Sequence, residues 1–269
     1  MPTIAMISHG ALPALRITSI DGAEAIVTLY GAHLVSWKTA DGAERLFCSA
    51  SSAMDGSGAI RGGVPVIFPQ FAARGSGMRH GFARVSTWRL ADRGASEDGA
   101  FAAFALGPAD LAPAIAAAWP HAFALTLRLA LAGDTLSLTL EVHNTGADAF
   151  AFSAALHTYF AVSDLDTVRI GGVQEGALQL ADKLDEIYFG INGAMTLEHG
   201  GGMLTLAQQG FTDAVVWNPG AADSAALADM GDDEYLRFVC IEPALIEAAT
   251  LAGGDSWHGA HQVRAAPAG

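Results

Sequence analysis

The chain has 269 residues, 28 acids against 14 bases, and a formal charge of −14 at pH 7. That balance, with a sequence pI near 4.8, excludes the broad basic face that a nucleic acid or an anionic membrane surface needs. All-β sandwiches of this length fold as one unit, so residues 1–269 are read as one domain with ample material for a core.

The N-terminal MPTIAMISHGALPALR has no basic residue ahead of its apolar stretch and lacks a signal-peptide layout. AEAIVTLYGAHLVSWK reads as two strands broken at Gly31. Helical periodicity is confined to short pieces, ASSAMDG at 50–56 and ADLAPAIAAAW at 109–119. The most apolar segment, LAPAIAAAWPHAFALTL, is interrupted by Pro113 and Pro120 and is too short for a membrane helix. In FALTLRLAL, Phe123, Leu125, Leu127 and Leu129 alternate with Thr126 and Arg128, as a half-buried strand requires. TLSLTLEVHN continues the alternation beyond a turn at Gly133-Asp134, which predicts a hairpin, and NTG at 144–146 turns the chain again. With 31 glycines for turns, no linker and no repeat, the pattern predicts a large antiparallel β-sandwich, all-β with few short helices.

FAFSAALHTYF at 150–160 reads as a strand with unequal faces. Phe150, Phe152, Ala154, Leu156, Thr158 and Phe160 form the bulky one; Ala151, Ser153, Ala155, His157 and Tyr159 form the other. Small side chains ending in His and Tyr suit a strand that lines a ligand groove, into which His157 would look; a core histidine bonded to backbone is the alternative. YLRFVCIEPA at 235–244 predicts a second strand, with Leu236, Phe238, Cys240 and Glu242 on one face, Tyr235, Arg237, Val239 and Ile241 on the other, and Pro243 at its end. Burial would raise the Glu242 pKa toward the range useful to a general base, unless the strand ends in solvent.

Residues 61–89 carry Arg61, Arg74, Arg79, Arg84 and Arg89 and no acid, which marks a local anion site in an acidic chain. Guanidinium forks match phosphate oxygens bidentately. Arg61 is followed by Gly62 and Gly63, which would let backbone approach a ligand; Arg74 and Arg89 read as ordinary surface residues. His80 and Arg84 flank GFA, and Asp182 precedes Lys183. Cys48 and Cys240 are read as reduced thiols. The nine histidines are scattered, so spacing supports no metal site, and no phosphate-loop, dinucleotide or serine-hydrolase motif occurs.

In this order, RGGVPVIFPQF, HGFAR, LHTYF, DK and VCIEPA resemble the hexose-6-phosphate mutarotases, or glucose-6-phosphate 1-epimerases, of the aldose 1-epimerase group, over about Gly31 to Pro243. The resemblance implies a galactose mutarotase-like sandwich with the sugar in a groove on one sheet. It also implies His157 as general acid, Glu242 as general base, and Arg61 and Arg84 as substrate- and phosphate-binding arginines. His80 matches the active-site histidine, and Asp182 the acid that holds sugar hydroxyls. Members often carry Gln where this chain has Arg79; facing the ligand, Arg79 would add charge for phosphate. The implied reaction starts from protonated His157 and ionised Glu242 and needs no cofactor or metal. A cytoplasmic monomer acting on a small sugar phosphate is expected. A mutarotase for neutral aldoses and a non-catalytic carbohydrate-binding module are the alternatives.

Overall fold

The structure is a computed structural model, and it describes residues 1–97, 99–200 and 202–266. Three antiparallel sheets account for most of the fold. A four-stranded sheet runs through Thr3–His9, Leu12–Thr18, Glu24–Thr28 and His33–Lys38 in chain order. An eight-stranded sheet has the order Arg169–Gly171, Met195–His199, Gly202–Gln209, Ser256–Ala265, Thr135–Asn144, Phe123–Ala132, Gly99–Leu106 and Arg89–Ser96. The predicted hairpin is its centre: Phe123 pairs with Asn144 and Ala132 with Thr135 across the turn at Gly133. The break at Gly31 also falls as expected, between Glu24–Thr28 and His33–Lys38.

The six-stranded sheet carries the site. Its order is Leu184–Tyr188, Asp213–Asn218, Phe238–Leu251, Phe150–Leu156 and Val66–Ile67, with Tyr159–Ala161 also paired to Phe238–Leu251. One face of this sheet supplies Phe152, Ala154, Leu156, Phe160, Val216, Val239 and Ile241 to a continuous apolar core shared with the other two sheets. Trp88 and Phe82 belong to the same core, and the Trp88 indole donates to the Ala83 carbonyl at 2.9 Å. Their role is therefore packing, which leaves the opposite face of the sheet for chemistry.

Four local expectations are corrected. Pro243 does not end its strand, which continues to Leu251; Pro243 faces Ala214 in an otherwise paired ladder. Residues Glu234–Arg237 form a 3-10 turn rather than the start of that strand. The 150–160 segment is two strands, Phe150–Leu156 and Tyr159–Ala161, because the strand is interrupted at His157 and Thr158. The stretch 50–56 is irregular, whereas Pro113–Ala118 is helical as predicted. Both cysteines are free, and no helix among the described residues is long and apolar enough to cross a membrane. Arg74 and Arg89 are surface residues, paired with Glu247 and Asp110.

Candidate active site

Strand register assembles the site. Val215 lies opposite both Ile187 and Glu242, and Trp217 lies opposite both Asp185 and Cys240. Side chains alternate along each strand, so Ile187, Asp185, Val215, Trp217, Cys240 and Glu242 share one sheet face. His157 joins them from the break after Phe150–Leu156. Its ring stacks on Tyr159 at 4.9 Å and meets Trp217 edge-on at 5.8 Å. Above this face is a cavity of about 570 Å³, lined among others by His157, Glu242, Trp217, Asp185 and three arginines. That volume falls within the range that holds small metabolites.

His157 Nδ1 and Glu242 Oε1 are 3.2 Å apart, and both side chains are buried. The two are close but not aligned for a hydrogen bond; His157 Nδ1 and Glu242 Oε2 have no partner among the described residues. Burial pulls the imidazole well below its usual range, and His80, Arg84 and Arg61 add to this. Burial pushes the carboxyl well above its usual range; Asp185 adds to the effect and Arg84 opposes it. Both directions favour the uncharged forms, imidazole beside carboxylic acid. The expectation that Glu242 would be raised agrees with this. Desolvation disfavours the ion pair from which the implied reaction starts, so that form needs stabilisation by bound substrate.

The arginines differ in availability. Arg61 donates from Nε to both Asp229 oxygens at 3.2 Å and from Nη1 to the Tyr159 hydroxyl at 3.2 Å, and its Nη2 lies 3.1 Å from Asp229 Oδ2. Its charge is thus met within the protein, and it clamps Tyr159 beneath His157. Arg79 and Arg84 have no carboxylate partner among the described residues; Arg84 donates from Nη2 to the Arg79 carbonyl at 3.1 Å, and its Nε is buried without a partner. Gly62 and Gly63 serve packing instead of ligand approach: a Cβ on Gly63, at φ +59°, would sit 2.2 Å from the Leu34 carbonyl oxygen.

His80 and Arg79 close a loop that Gln70 holds from below. The buried Gln70 amide donates to the Ala72 and Gly77 carbonyls at 3.1 and 3.3 Å and accepts from the Gly77 N–H at 2.9 Å. The Ala72 N–H donates to His80 Nδ1 at 3.3 Å, which leaves the ring proton on Nε2. Burial and the neighbouring arginines depress His80 to about 3, so it is a neutral donor at the cavity wall. The small-residue row of the 150s makes room for this loop: the Phe71 N–H donates to Ser153 Oγ at 2.7 Å.

Of the residues singled out in the sequence, His157, Glu242, Arg61, Arg79, His80 and Arg84 line one cavity. Asp182 does not; it is exposed ahead of the strand Leu184–Tyr188, and Lys183 and Asp185 line the wall instead. The cause is parity, since Leu184 and Tyr188 pack toward the core and Asp185 and Ile187 take the other face. Sequence reasoning also missed Trp217, Asp223 and Asp229. Alternation in DAVVWN could have found Trp217, whereas the two acids come from a short helix and its exit, where no periodicity marks a pocket.

The aldose 1-epimerase family model matches residues 13–187. A protein of Cenchrus ciliaris named "Putative glucose-6-phosphate 1-epimerase" is 34% identical, over 90% of this chain and 81% of that protein. One of the same name from Escherichia coli K12 is 32% identical, over 89% and 86%. The crystal structure of a "putative mutarotase" from Salmonella typhimurium superposes with a TM-score of 0.86 at 28% identity, covering 98% of this chain and 93% of that one. The chain belongs to the aldose 1-epimerase family. As a member it is an enzyme of the isomerase class with a galactose mutarotase-like fold, and its chemistry is epimerisation at an anomeric carbon.

The way this aldose 1-epimerase holds its site can be probed at two positions. Gln70→Ala should release the loop that carries Arg79 and His80, with kcat/KM falling by up to roughly 10²-fold. The same change should cost about 1–3 kcal/mol in urea unfolding through unpaired backbone groups; an unchanged kcat/KM would count against the clamp. Gly81→Ala should prevent stable folding, because its Cβ, at φ +67°, would lie 1.9 Å from the Phe68 carbonyl oxygen. Soluble expression and thermal unfolding read this out.

Proposed function

We infer that the enzyme interconverts the α and β anomers of a hexose 6-phosphate, with glucose 6-phosphate as the test substrate. The observation that supports this best is the pairing of two features in one cavity: a buried His157/Glu242 pair 3.2 Å apart, and Arg79 and Arg84 without carboxylate partners among the described residues. A half-buried guanidinium among like charges is stabilised by an anion, and a phosphate dianion matches its fork. The names of the relatives point the same way.

In this reading the pair opens and recloses the ring. Whichever member lacks the proton takes one from the anomeric hydroxyl, while its partner gives the shared proton to the ring oxygen, and the C1–O5 bond breaks to leave the aldehyde. Rotation about C1–C2 presents the other carbonyl face. Reclosure runs both proton transfers backwards, so the pair ends as it began, with no electrons lost or gained. Each positioned transfer contributes about 10²–10⁴-fold. Glu242 as base and His157 as acid require the proton to sit on His157, 3.2 Å from the carboxylate. Substrate hydroxyls that hydrogen-bond the carboxylate favour that tautomer. Asp185, an acceptor on the cavity wall, takes the hydroxyl-holding role that the resemblance assigned to Asp182, and His80 donates from Nε2.

One observation favours neutral aldoses instead: Asp229 already neutralises Arg61. Magnetisation exchange between the anomers of glucose 6-phosphate, measured by NMR beside glucose and galactose, separates the two. Faster exchange of the phosphate ester alone is expected. Equal acceleration of the neutral sugars would overturn the phosphate assignment, and no acceleration of any sugar would overturn the reading as a whole.

A further inference from the structure

Spacing along the chain supports no metal motif, yet folding brings one donor set together. His157, Cys240 and Glu242 each present a ligand atom, and the three atoms lie within 4.8 Å of one another. Cys240 and Glu242 are two residues apart on one strand, so both side chains leave the same face. Tyr159 lies opposite Cys240 across the ladder, and His157 stacks on Tyr159, which places the imidazole beside the other two. All three are buried, Cys240 and Glu242 almost completely.

Two polar atoms of this group, His157 Nδ1 and Glu242 Oε2, have no hydrogen-bond partner among the described residues. Buried polar groups are nearly always paired, so a group that supplies partners to these two atoms would be accommodated here. Sugar hydroxyls can do this, and so can a cation. Imidazole nitrogen, thiolate sulfur and carboxylate oxygen together suit Zn²⁺ and other thiophilic divalent ions, and are ill-suited to Mg²⁺, which prefers an octahedron of oxygens. His157 and Glu242 both border the cavity, so a fourth position faces water. Of the nearby positive charges, Arg61 is already countered by Asp229, whereas Arg79 and Arg84 have no such partner among the described residues and oppose a cation; Asp185 on the same face adds negative potential, and the thiolate and carboxylate formed on binding supply two negative charges.

We propose that His157, Cys240 and Glu242 form a site for a thiophilic divalent cation such as Zn²⁺, which competes with the sugar and holds the enzyme inactive. Binding releases two protons to solvent, one from the Cys240 thiol and one from the His157/Glu242 pair, and no electrons move. Metal–ligand distances of about 2.0–2.3 Å draw the donors to roughly 3.5 Å apart. The set therefore contracts by about 1 Å at its widest, a shift within reach of side-chain rotation. Cation binding does not depend on which sugar the enzyme turns over; the inhibition rests on the catalytic roles inferred above.

The test is a titration of chelator-treated protein with Co²⁺, followed by absorption. One equivalent should produce a thiolate-to-cobalt charge-transfer band in the near ultraviolet, which Zn²⁺ abolishes and which Cys240→Ser and Cys240→Ala both lack. In parallel, Zn²⁺ should slow anomer exchange, a chelator should restore it, Mg²⁺ should have no effect, and the Cys240 variants should be roughly tenfold or more less sensitive. Exchange without added metal should persist in these variants, and thermal unfolding confirms that at least one of them is folded. No charge-transfer band, a band that survives in a folded Cys240 variant, or equal Zn²⁺ sensitivity of wild type and variant would overturn the proposal. A protein inactive toward every sugar that still shows the Cys240-dependent band would sink the catalytic reading and leave the cation site standing.

Discussion

Glu242→Gln should slow α–β anomer exchange by roughly 10²–10⁴-fold, the typical contribution of one positioned proton transfer. The amide keeps the shape of a side chain that is 1% exposed and cannot pass a proton to or from His157. It removes the chemistry with little effect on packing. Stability should be unchanged or should rise, because the native carboxyl carries an unpaired buried oxygen and a desolvated acid held 3.2 Å from an imidazole. His157→Asn should lower exchange comparably while the variant still binds the sugar phosphate. Exchange by NMR, ligand titration by calorimetry and thermal unfolding check the three statements together. Retained exchange in Glu242→Gln would remove Glu242 from the reaction, and unaltered exchange in both variants would assign the proton transfers to other groups of the cavity.

Arg84→Gln should separate phosphate recognition from catalysis. Arg84 has no carboxylate partner among the described residues and lies among Arg61 and Arg79, each of which disfavours its charge. A charge-assisted hydrogen bond to phosphate is worth about 1.5–3 kcal/mol, so kcat/KM for glucose 6-phosphate should fall roughly 10–150-fold. Exchange of any neutral sugar that the enzyme accepts should be untouched. Removing one of three neighbouring positive charges should leave the folded state as stable or more so. Added salt should lower kcat/KM for the phosphate ester in wild type by screening encounter, and should do so less in the variant. A parallel loss for phosphorylated and neutral sugars would make Arg84 a structural residue.

The residues that are easy to read share one property: their signal is local. The hairpin Phe123–Asn144 and the core face Phe152, Ala154 and Leu156 follow from alternation, which is a property of neighbours on one strand. The same rule assigns Glu242 and Cys240 to the face opposite Val239 and Ile241, and the structure agrees. Where the rule fails, a tertiary contact intervenes. An interruption at His157 and Thr158 turns one expected strand into two: Val66–Ile67 pairs with its first part and Phe238–Leu251 with both. The small row Ala151, Ser153 and Ala155 does leave space, but the loop from Pro69 and a second cavity take most of it. The resemblance names Asp182, and the structure puts Asp185 on the cavity wall; which face each takes depends on where the strand begins, and motif order along a chain does not carry that.

By itself the sequence determined an antiparallel all-β architecture, an arginine-rich segment without acids in an acidic chain, and the His and Glu that meet at one cavity. Each of these rests on composition, on periodicity along a few residues or on motifs read in order. Only the tertiary structure decided that the His157/Glu242 pair is buried, that Asp229 already occupies Arg61, that Asp185 faces the cavity, and that Cys240 lies beside the pair. Those outcomes depend on desolvation and on through-space distances between residues far apart in the chain. Such quantities arise only when the sheets pack together.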